Sequence, residues 1–331
     1  MGQITIIGAG VAGLSVARAL LDRGADVCVV DRNAALGPQA CSWWAGGMLA
    51  PYCEGESAEE PVVRLGQEAA DWWGAKTRAV HRCGTLVVSP ARDRADLNRF
   101  ARRTQAFREV DADEISQLEP DLAGRFTKGL FFESEAHLAP REALAQLRAG
   151  LVADGAVFEV ADANPDDFAQ RGLTIDCRGF QARSHDANLR GVKGEMLILS
   201  CPDITLSRPI RMLHPRVPLY IVPRGDGVFM VGATMIEGGN GQRVTARSLL
   251  EMLSAAYALN PAFGEAEVIE IGVDSRPAFP DNLPRISRRG NRISANGLYR
   301  HGFLLAPAMA RMVAELICDN KIPEILHETA A

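Results

Sequence analysis

The sequence lacks several features that mark whole classes of protein. No stretch of its 331 residues approaches the run of about 18 apolar residues that a membrane-spanning helix needs. Basic residues do not predominate, at 36 against 41 acidic ones, and the arginines are scattered instead of forming a stripe. A chain without a basic surface is poorly suited to neutralise phosphates. We therefore expect neither a membrane span nor a nucleic-acid partner.

Cysteine and histidine are too few and too scattered for several kinds of site. The seven cysteines form no C-x-x-C pair, and an odd number cannot all pair within one chain. Together with the six histidines they show no metal-ligand spacing, and no G-x-S-x-G nucleophile elbow occurs. No basic leader precedes the apolar residues 4–7. We expect reduced thiols, no metal site and a cytoplasmic location.

The length and the order of predicted elements indicate two interleaved units. A chain of 331 residues exceeds the size at which one hydrophobic core usually keeps growing. Strand and helix patterns alternate in residues 3–31 and again in 141–160, which is typical of a parallel α/β fold, whereas the short β-rich runs in 192–236 favour an antiparallel sheet. We predict a Rossmann-like α/β unit formed by residues 1–77, 141–180 and 270–331. Residues 78–140 and 181–269 are predicted to form a discontinuous α+β substrate unit.

A glycine-rich turn near the start carries the first functional signal. Gly8, Gly10 and Gly13 follow the predicted strand and open a helix. Such glycines permit a tight turn, close approach to a pyrophosphate and close packing of helix on strand, while the anion meets the helix N-terminus. Asp31 ends the next strand, where an acid accepts hydrogen bonds from a ribose and disfavours a 2′-phosphate. We predict a dinucleotide site that also includes Val11, Ala12 and Arg32.

A second segment of small residues, at 42–51, reads Ser-Trp-Trp-Ala-Gly-Gly-Met-Leu-Ala-Pro. It resembles the loop beside the isoalloxazine in the FAD-dependent glycine oxidases of thiamine biosynthesis, which belong to the D-amino-acid oxidase and sarcosine oxidase-like superfamily. Similar segments follow in the family's order at 192–195, 220–224 with 231–234, and 300–307. The resemblance covers nearly the whole chain. It implies a FAD-binding domain of the glutathione-reductase type, with contacts from Ser42, Ala45, Gly46, Gly47 and Met48.

One stretch departs from the family pattern. Residues 161–185 are fewer than usual, and residues 176–179 read Asp-Cys-Arg-Gly where relatives carry a motif like N-A-A-G. The effect of this difference on contacts to the adenine side of FAD is left open by the sequence.

Three side chains are predicted to act on the substrate. An amino-acid oxidase must orient its substrate, and a planar guanidinium grips a carboxylate with two directed hydrogen bonds. Arg276 is similar to the family's G-L-R-P arginine that binds the substrate carboxylate, although only R-P is retained. Tyr220 resembles a tyrosine that helps to hold the same group, and Arg300 resembles an arginine that lines the pocket. The backbone of residues 301–305 opens the last predicted helix, so its N–H groups can bind the flavin edge where charge develops on reduction. These residues are His301, Gly302, Phe303, Leu304 and Leu305.

These features predict an enzyme that oxidises glycine or a similarly small amino acid to the imine. Dioxygen would reoxidise the flavin and release hydrogen peroxide, and the imine would feed thiazole formation for thiamine. FAD is expected to be noncovalent because no cysteine lies in the closing glycine loop, where related sarcosine oxidases attach flavin. Oxidation of a neutral amine needs no strong base, so His137 and His214 are expected to be structural.

Two alternatives stay open from the sequence alone. A D-amino acid or a secondary amine such as sarcosine could be the substrate, with another electron acceptor in place of dioxygen. An NAD-binding dehydrogenase or a nucleotide-binding sensor could also use the βαβ unit. The sequence does not decide the exact amine, and it is equally compatible with a monomer and a homo-oligomer.

Overall fold

The structure, a computed structural model, describes residues 2–214, 219–238 and 243–326. The predicted units also include residues 1, 215–218, 239–242 and 327–331, which lie outside these ranges. The α-helices are α1 (Val11–Leu21), α2 (Pro51–Glu54), α3 (Glu60–Gly66), α4 (Ala69–Lys76), α5 (Arg94–Arg103), α6 (Ala112–Leu118), α7 (Pro140–Ala153), α8 (Pro165–Ala169), α9 (Ala246–Leu259) and α10 (Gly302–Cys318). The strands are β1 (Ile4–Ile7), β2 (Val27–Asp31), β3 (Met48–Leu49), β4 (Val80–His81), β5 (Thr85–Val88), β6 (Arg108–Asp111), β7 (Lys128–Phe132), β8 (Ala136–Leu138), β9 (Val157–Val160), β10 (Thr174–Asp176), β11 (Arg190–Ser200), β12 (Ile210–Met212), β13 (Leu219–Pro223), β14 (Val228–Gly232), β15 (Ile236–Glu237), β16 (Glu267–Ala278), β17 (Arg285–Arg289) and β18 (Arg292–Asn296).

A six-stranded sheet contains the first βαβ unit, in the spatial order β17-β18-β10-β1-β2-β9. Its strands pair in parallel except for the hairpin of β17 and β18. Helices α1 and α10 pack on each other over this sheet, and their apolar faces share its main hydrophobic core. The carboxyl ends of β1, β2 and β10 meet at one edge, which is where parallel α/β sheets bind ligands.

The second large sheet has nine strands. Eight of them follow the order β15-β11-β14-β13-β12-β5-β7-β6, and the ninth, β16, pairs with β11. Strand β16 runs antiparallel along the whole of β11, and the pairing of β5 with β12 is parallel. Helix α9 packs on this sheet and contributes to a separate core. A third, antiparallel sheet has the order β3-β8-β4. The predicted mixture of a parallel α/β unit and an antiparallel sheet is confirmed.

Several predicted elements differ in detail from the observed ones. The apolar pattern of residues 61–76 predicts one helix, but the structure has two, since α3 ends at Gly66 and α4 begins at Ala69. Gly66 packs closely against α10, because a Cβ atom there would lie 2.7 Å from the Leu304 side chain. The charged helical pattern of residues 91–107 also predicts a helix, but the observed α5 is shorter and follows a 3₁₀ turn after Pro90. Strand β16 was not predicted, because its half-exposed sequence lacks a clear alternation.

The two large sheets are interleaved along the chain. The six-stranded sheet takes strands from residues 4–31, 157–176 and 285–296, and the nine-stranded sheet takes the segments between them. The predicted boundary at residue 270 falls inside β16, whose pairing with β11 favours grouping 267–278 with the antiparallel sheet. The limits of the two units stay a prediction, in which residues 270–278 now belong to the substrate unit.

Candidate active site

A cavity of about 500 Å³ runs from the glycine turn after β1 to the antiparallel sheet. It is lined by the end of β2, the loop before β3, residues of β13 and β16, and the N-terminus of α10. Every predicted site residue lines this cavity except Gly13 and Leu305. Leu305 is buried in the main core, with 1% of its surface exposed. Tertiary folding thus gathers residues from distant parts of the chain at one cavity.

The glycine turn has the backbone that its sequence predicts. Gly8 adopts a φ of 106°, and a Cβ atom there would lie 2.7 Å from the carbonyl oxygen of Cys177. A Cβ atom at Gly13 would overlap the carbonyl oxygen of Gly8. Both positions therefore exclude any larger residue. Gly13 allows helix and strand to pack closely, and so it acts from behind the cavity instead of lining it.

Helix α1 begins at the cavity with an N-terminus suited to an anion. Its N-cap residue, Gly10, supplies no side-chain hydrogen bond, and the first helical N–H, from Val11, donates to the Ser42 hydroxyl at 3.3 Å. Unpaired N–H groups and the helix dipole favour a negative group at such a position. The predicted pyrophosphate contact of this turn is therefore physically reasonable.

Asp31 joins the glycine turn to the end of β2. One carboxylate oxygen accepts the Ala9 N–H at 2.8 Å, and the other accepts the Asn33 N–H at 2.8 Å. Each carboxylate oxygen has two lone pairs, so the group keeps acceptor capacity toward the cavity that it lines. The side chain can hold the turn in place and still bind a ribose.

The segment that departs from the family pattern contains a buried ionic cluster. Arg178 binds Asp176 with two hydrogen bonds of 2.9 Å each, and Arg292 donates to the same carboxylate at 2.9 Å. Burial alone would raise the pKa of Asp176, but the two guanidinium groups hold it below its ordinary value. Cys177 and Arg178 line the cavity. This part of the wall is therefore fixed by charge pairing.

The small-residue loop before β3 is held from behind by Arg224. This guanidinium donates to the carbonyl oxygen of Gly46 at 2.7 Å and to that of Leu138 at 3.3 Å. Its surroundings are apolar enough that burial lowers the pKa of Arg224 to about 10. Gly47 needs its positive φ of 73°, and its carbonyl oxygen accepts the Leu138 N–H at 2.9 Å. The loop is thereby fixed at the cavity wall.

Arg276 and Tyr220 approach the same part of the cavity from β16 and β13. Arg276 donates to the carbonyl oxygen of Thr234 at 2.9 Å, and no carboxylate of the described residues forms an ion pair with it. Burial raises the pKa of Tyr220, while the nearby Arg276 acts in the opposite direction. The ring of Tyr220 packs against Gly46, where a Cβ atom would lie 2.9 Å from its Cε2 atom.

Arg300, the third predicted substrate residue, is already paired. It binds the carboxylate of Glu54 at 2.9 Å and the hydroxyl of Ser57 at 2.7 Å. The same carboxylate contacts Arg211 at 3.2 Å and His301 at 2.9 Å. Burial would raise the pKa of Glu54, but the two guanidinium groups and the contact with His301 hold it well below its ordinary value. Glu54 is therefore ionised at the cavity wall.

Three residues of this site were not predicted from the sequence. Glu54 lies shortly after the small-residue loop, and that proximity could have identified it. Arg224 ends the Tyr-Ile-Val-Pro-Arg segment, which suggested a family but no role for this residue. Arg211 offers no local signal, because only folding brings it to Glu54. His137 and His214 are not among the described residues that line the cavity, and their structural role stays a prediction.

In the described part of the chain, no helix is long and apolar enough to cross a membrane, and no three His, Cys, Asp or Glu side chains are grouped to hold a metal ion. All seven cysteines are free. The cavity instead combines a helix N-terminus, an acid at the end of β2 and a tightly held glycine loop, and these features fit FAD.

The chain resembles known proteins over nearly its full length. It matches the FAD dependent oxidoreductase (DAO) family over residues 3–316. It is 53% identical over 324 residues to a protein of Rhizobium etli named as a thiamine biosynthesis oxidoreductase, ThiO, with 97% of this chain and 98% of that one covered. A glycine oxidase of Bacillus licheniformis is 26% identical over 351 residues, covering 96% of this chain and 93% of that one. The crystal structure of glycine oxidase from Geobacillus kaustophilus shares the fold, with a TM-score of 0.81 at 21% identity and coverage of 98% and 97%.

Proposed function

This chain belongs to the FAD dependent oxidoreductase family, and on that premise we propose that it oxidises glycine, or a similarly small amino acid, to the imine. Dioxygen is the proposed final electron acceptor, giving hydrogen peroxide, and FAD is proposed to be noncovalent. The imine would serve thiazole formation in thiamine biosynthesis, the pathway named for the Rhizobium etli relative. We further propose a cytoplasmic location. An NAD-binding dehydrogenase or a nucleotide sensor belongs to a different class from this family.

The proposal rests on the position of Arg276 in the cavity and on its lack of an ion pair among the described residues. Arg276 lines the cavity beside Tyr220, and among the described residues no carboxylate forms an ion pair with it; its charge acts on Asp274 only from a longer distance. A guanidinium in a partly enclosed site favours an anionic partner, because burying a charge without one is costly. A substrate carboxylate would supply that partner, and the planar guanidinium can bind it with two hydrogen bonds.

The surrounding residues suit a small amine acid. Bound FAD would supply the two-electron acceptor for oxidation of the C–N bond. Arg276 would hold the substrate carboxylate, and the Tyr220 hydroxyl would add a hydrogen bond to it. The contact between the Tyr220 ring and Gly46 leaves little room beside the loop, which favours substrates with a small side chain. Burial lowers the pKa of His301, so this residue would stay neutral beside the substrate amine.

A substrate panel tests the proposed reaction. The purified holoprotein is mixed with glycine, sarcosine, D-alanine and L-alanine, and hydrogen peroxide and ammonia are measured together with flavin reduction under anaerobic conditions. Glycine should give the highest kcat/KM, with equal yields of both products. A clear preference for sarcosine would favour the secondary-amine alternative, and anaerobic reduction without peroxide formation in air would indicate another electron acceptor.

Substitution of Arg276 tests the carboxylate contact. Breaking a buried charge pair costs about 3–5 kcal/mol, so Arg276→Ala should lower kcat/KM for glycine by roughly two to four orders of magnitude while the protein keeps its yellow FAD. Arg276→Lys should recover part of the loss, because an ammonium cannot reproduce the two-pronged contact. Tyr220→Phe should cost less, since it deletes one hydrogen bond. If glycine reduces the flavin of Arg276→Ala as readily as that of the parent, the carboxylate is bound elsewhere.

A further inference from the structure

A buried ionic cluster lies at the cavity wall beside the proposed substrate position. Glu54 accepts contacts from Arg300 at 2.9 Å and from Arg211 at 3.2 Å. The side chains of Glu54, Arg211 and Arg300 are only 10%, 14% and 19% exposed. Glu54 and Arg300 line the cavity, whereas Arg211 is not among the residues that do so. One carboxylate is therefore shared by two guanidinium groups, and both are held by it.

Because of this cluster, Arg300 is not available to bind a second acid group in the cavity. Arg276 has no carboxylate partner among the described residues, while Arg300 is bound to Glu54 and to the Ser57 hydroxyl. Both arginines lie close enough to Tyr220 to influence its ionisation. A carboxylate already bound to Arg300 repels a second carboxylate that approaches the same guanidinium. Of the two arginines beside Tyr220 that line the cavity, Arg276 and Arg300, only Arg276 is thus available to bind an acid.

We infer that Glu54 determines substrate specificity by occupying Arg300, so that the site accepts amines with one carboxylate and rejects those with two. The inference rests on the proposed function, in which Arg276 binds the substrate carboxylate. Glu54 acts through Arg300 and need not touch the substrate. Release of Arg300 would give the cavity a second anion-binding group and would extend its ligands to dicarboxylates.

Two double variants isolate this effect at constant charge. In E54Q/R211M the cluster keeps Arg300, and in E54Q/R300M it keeps Arg211. Both variants preserve the cluster's net charge, because each removes one carboxylate and one guanidinium. Only E54Q/R211M leaves Arg300 at the cavity wall without a carboxylate, since the arginine kept in E54Q/R300M, Arg211, does not line the cavity. The second variant therefore serves as a matched control for the first.

Binding of inert acids gives a readout that does not depend on amine oxidation. Acetate, malonate and succinate are titrated into each holoprotein, and Kd is measured from the change in flavin absorbance. E54Q/R211M should improve the binding of malonate or succinate relative to acetate by about tenfold or more, as expected for one added charge-assisted contact. E54Q/R300M should keep the parent's preference. Equal preferences in the two double variants would overturn the inference.

Further binding measurements distinguish a failure of this inference from a failure of the proposed function. If the parent does not bind acetate, or if Arg276→Met binds acetate as tightly as the parent, then the carboxylate contact of the proposed function fails. If E54Q/R211M does not fold, R300M gives a second test, because it leaves the Glu54–Arg211 pair intact. R300M should weaken acetate binding far less than Arg276→Met does. An equal loss in both single variants would show that Arg300 binds the first carboxylate, against the inference.

Discussion

We expect the buried carboxyl of Glu135 to make the stability of the fold depend on pH. The residue is 1% exposed, and one of its carboxylate oxygens accepts the Cys53 N–H at 2.8 Å. Burial raises the pKa of Glu135 to about 7 from an ordinary 4.5, although the Cys53 N–H, the Thr85 hydroxyl and Arg211 act in the other direction. The folded protein therefore holds this proton more tightly than the unfolded chain does.

The size and sign of the effect follow from this difference. A rise of the pKa from 4.5 to about 7 corresponds to roughly 3 kcal/mol, at about 1.4 kcal/mol per pKa unit. The contribution to the free energy of unfolding is fully present below pH 4.5, decreases as the pH rises toward about 7, and is lost above it. Glu135→Gln replaces the carboxyl by a neutral group of the same shape. At about pH 8 the variant should exceed the parent in stability by up to roughly 3 kcal/mol.

Urea unfolding of the two holoproteins at several pH values between about 5 and 8 measures this difference. The free energy of unfolding of Glu135→Gln should exceed that of the parent only slightly at the acidic end, and this difference should grow as the pH rises. Glu133→Gln is the matched control, because Glu133 lies two residues away and is exposed. A stability difference between parent and Glu135→Gln that stays constant or shrinks as the pH rises would refute the reasoning.

Three further predictions concern the cofactor site. Denaturation should release FAD from the polypeptide, and pigment that stays with the precipitated chain would argue for a covalent link. Asp31→Ala removes the acceptor for two backbone N–H groups. The Kd for FAD, measured by fluorescence titration, should therefore rise by about tenfold or more. Unchanged FAD content after dialysis would contradict the assignment of Asp31 to the cofactor site. Gly46→Ala places a Cβ atom 2.9 Å from the Tyr220 ring, and overpacking of about 1–3 kcal/mol should lower kcat/KM for glycine by about tenfold with FAD retained. Equal activity of Gly46→Ala and the parent would show that the ring can move without consequence.

The sequence determined those features that depend on a few neighbouring residues. The glycine turn is an example, because Gly8 and Gly13 are needed by a local backbone and by contacts within one βαβ unit. Runs of apolar and β-branched residues favour extended structure wherever they occur, and they predict strands over 157–160 and 228–232. Strands β9 and β14 have these bounds. The resemblance to glycine oxidases rested on local segments in a fixed order, and membership of the FAD dependent oxidoreductase family agrees with it.

Only the tertiary structure decided how the charges at the site are paired. The sequence predicts that Arg276 and Arg300 both line the substrate pocket, but among the described residues Arg276 forms no ion pair with a carboxylate, whereas Arg300 is bound to Glu54. Strand β16, which carries Arg276, forms by pairing with β11, and its own sequence does not predict it. Glu54 and His301 are 247 positions apart in the chain, yet their side chains are 2.9 Å apart. Such contacts depend on the whole fold, because Coulomb attraction acts through space and leaves no periodic pattern in the sequence.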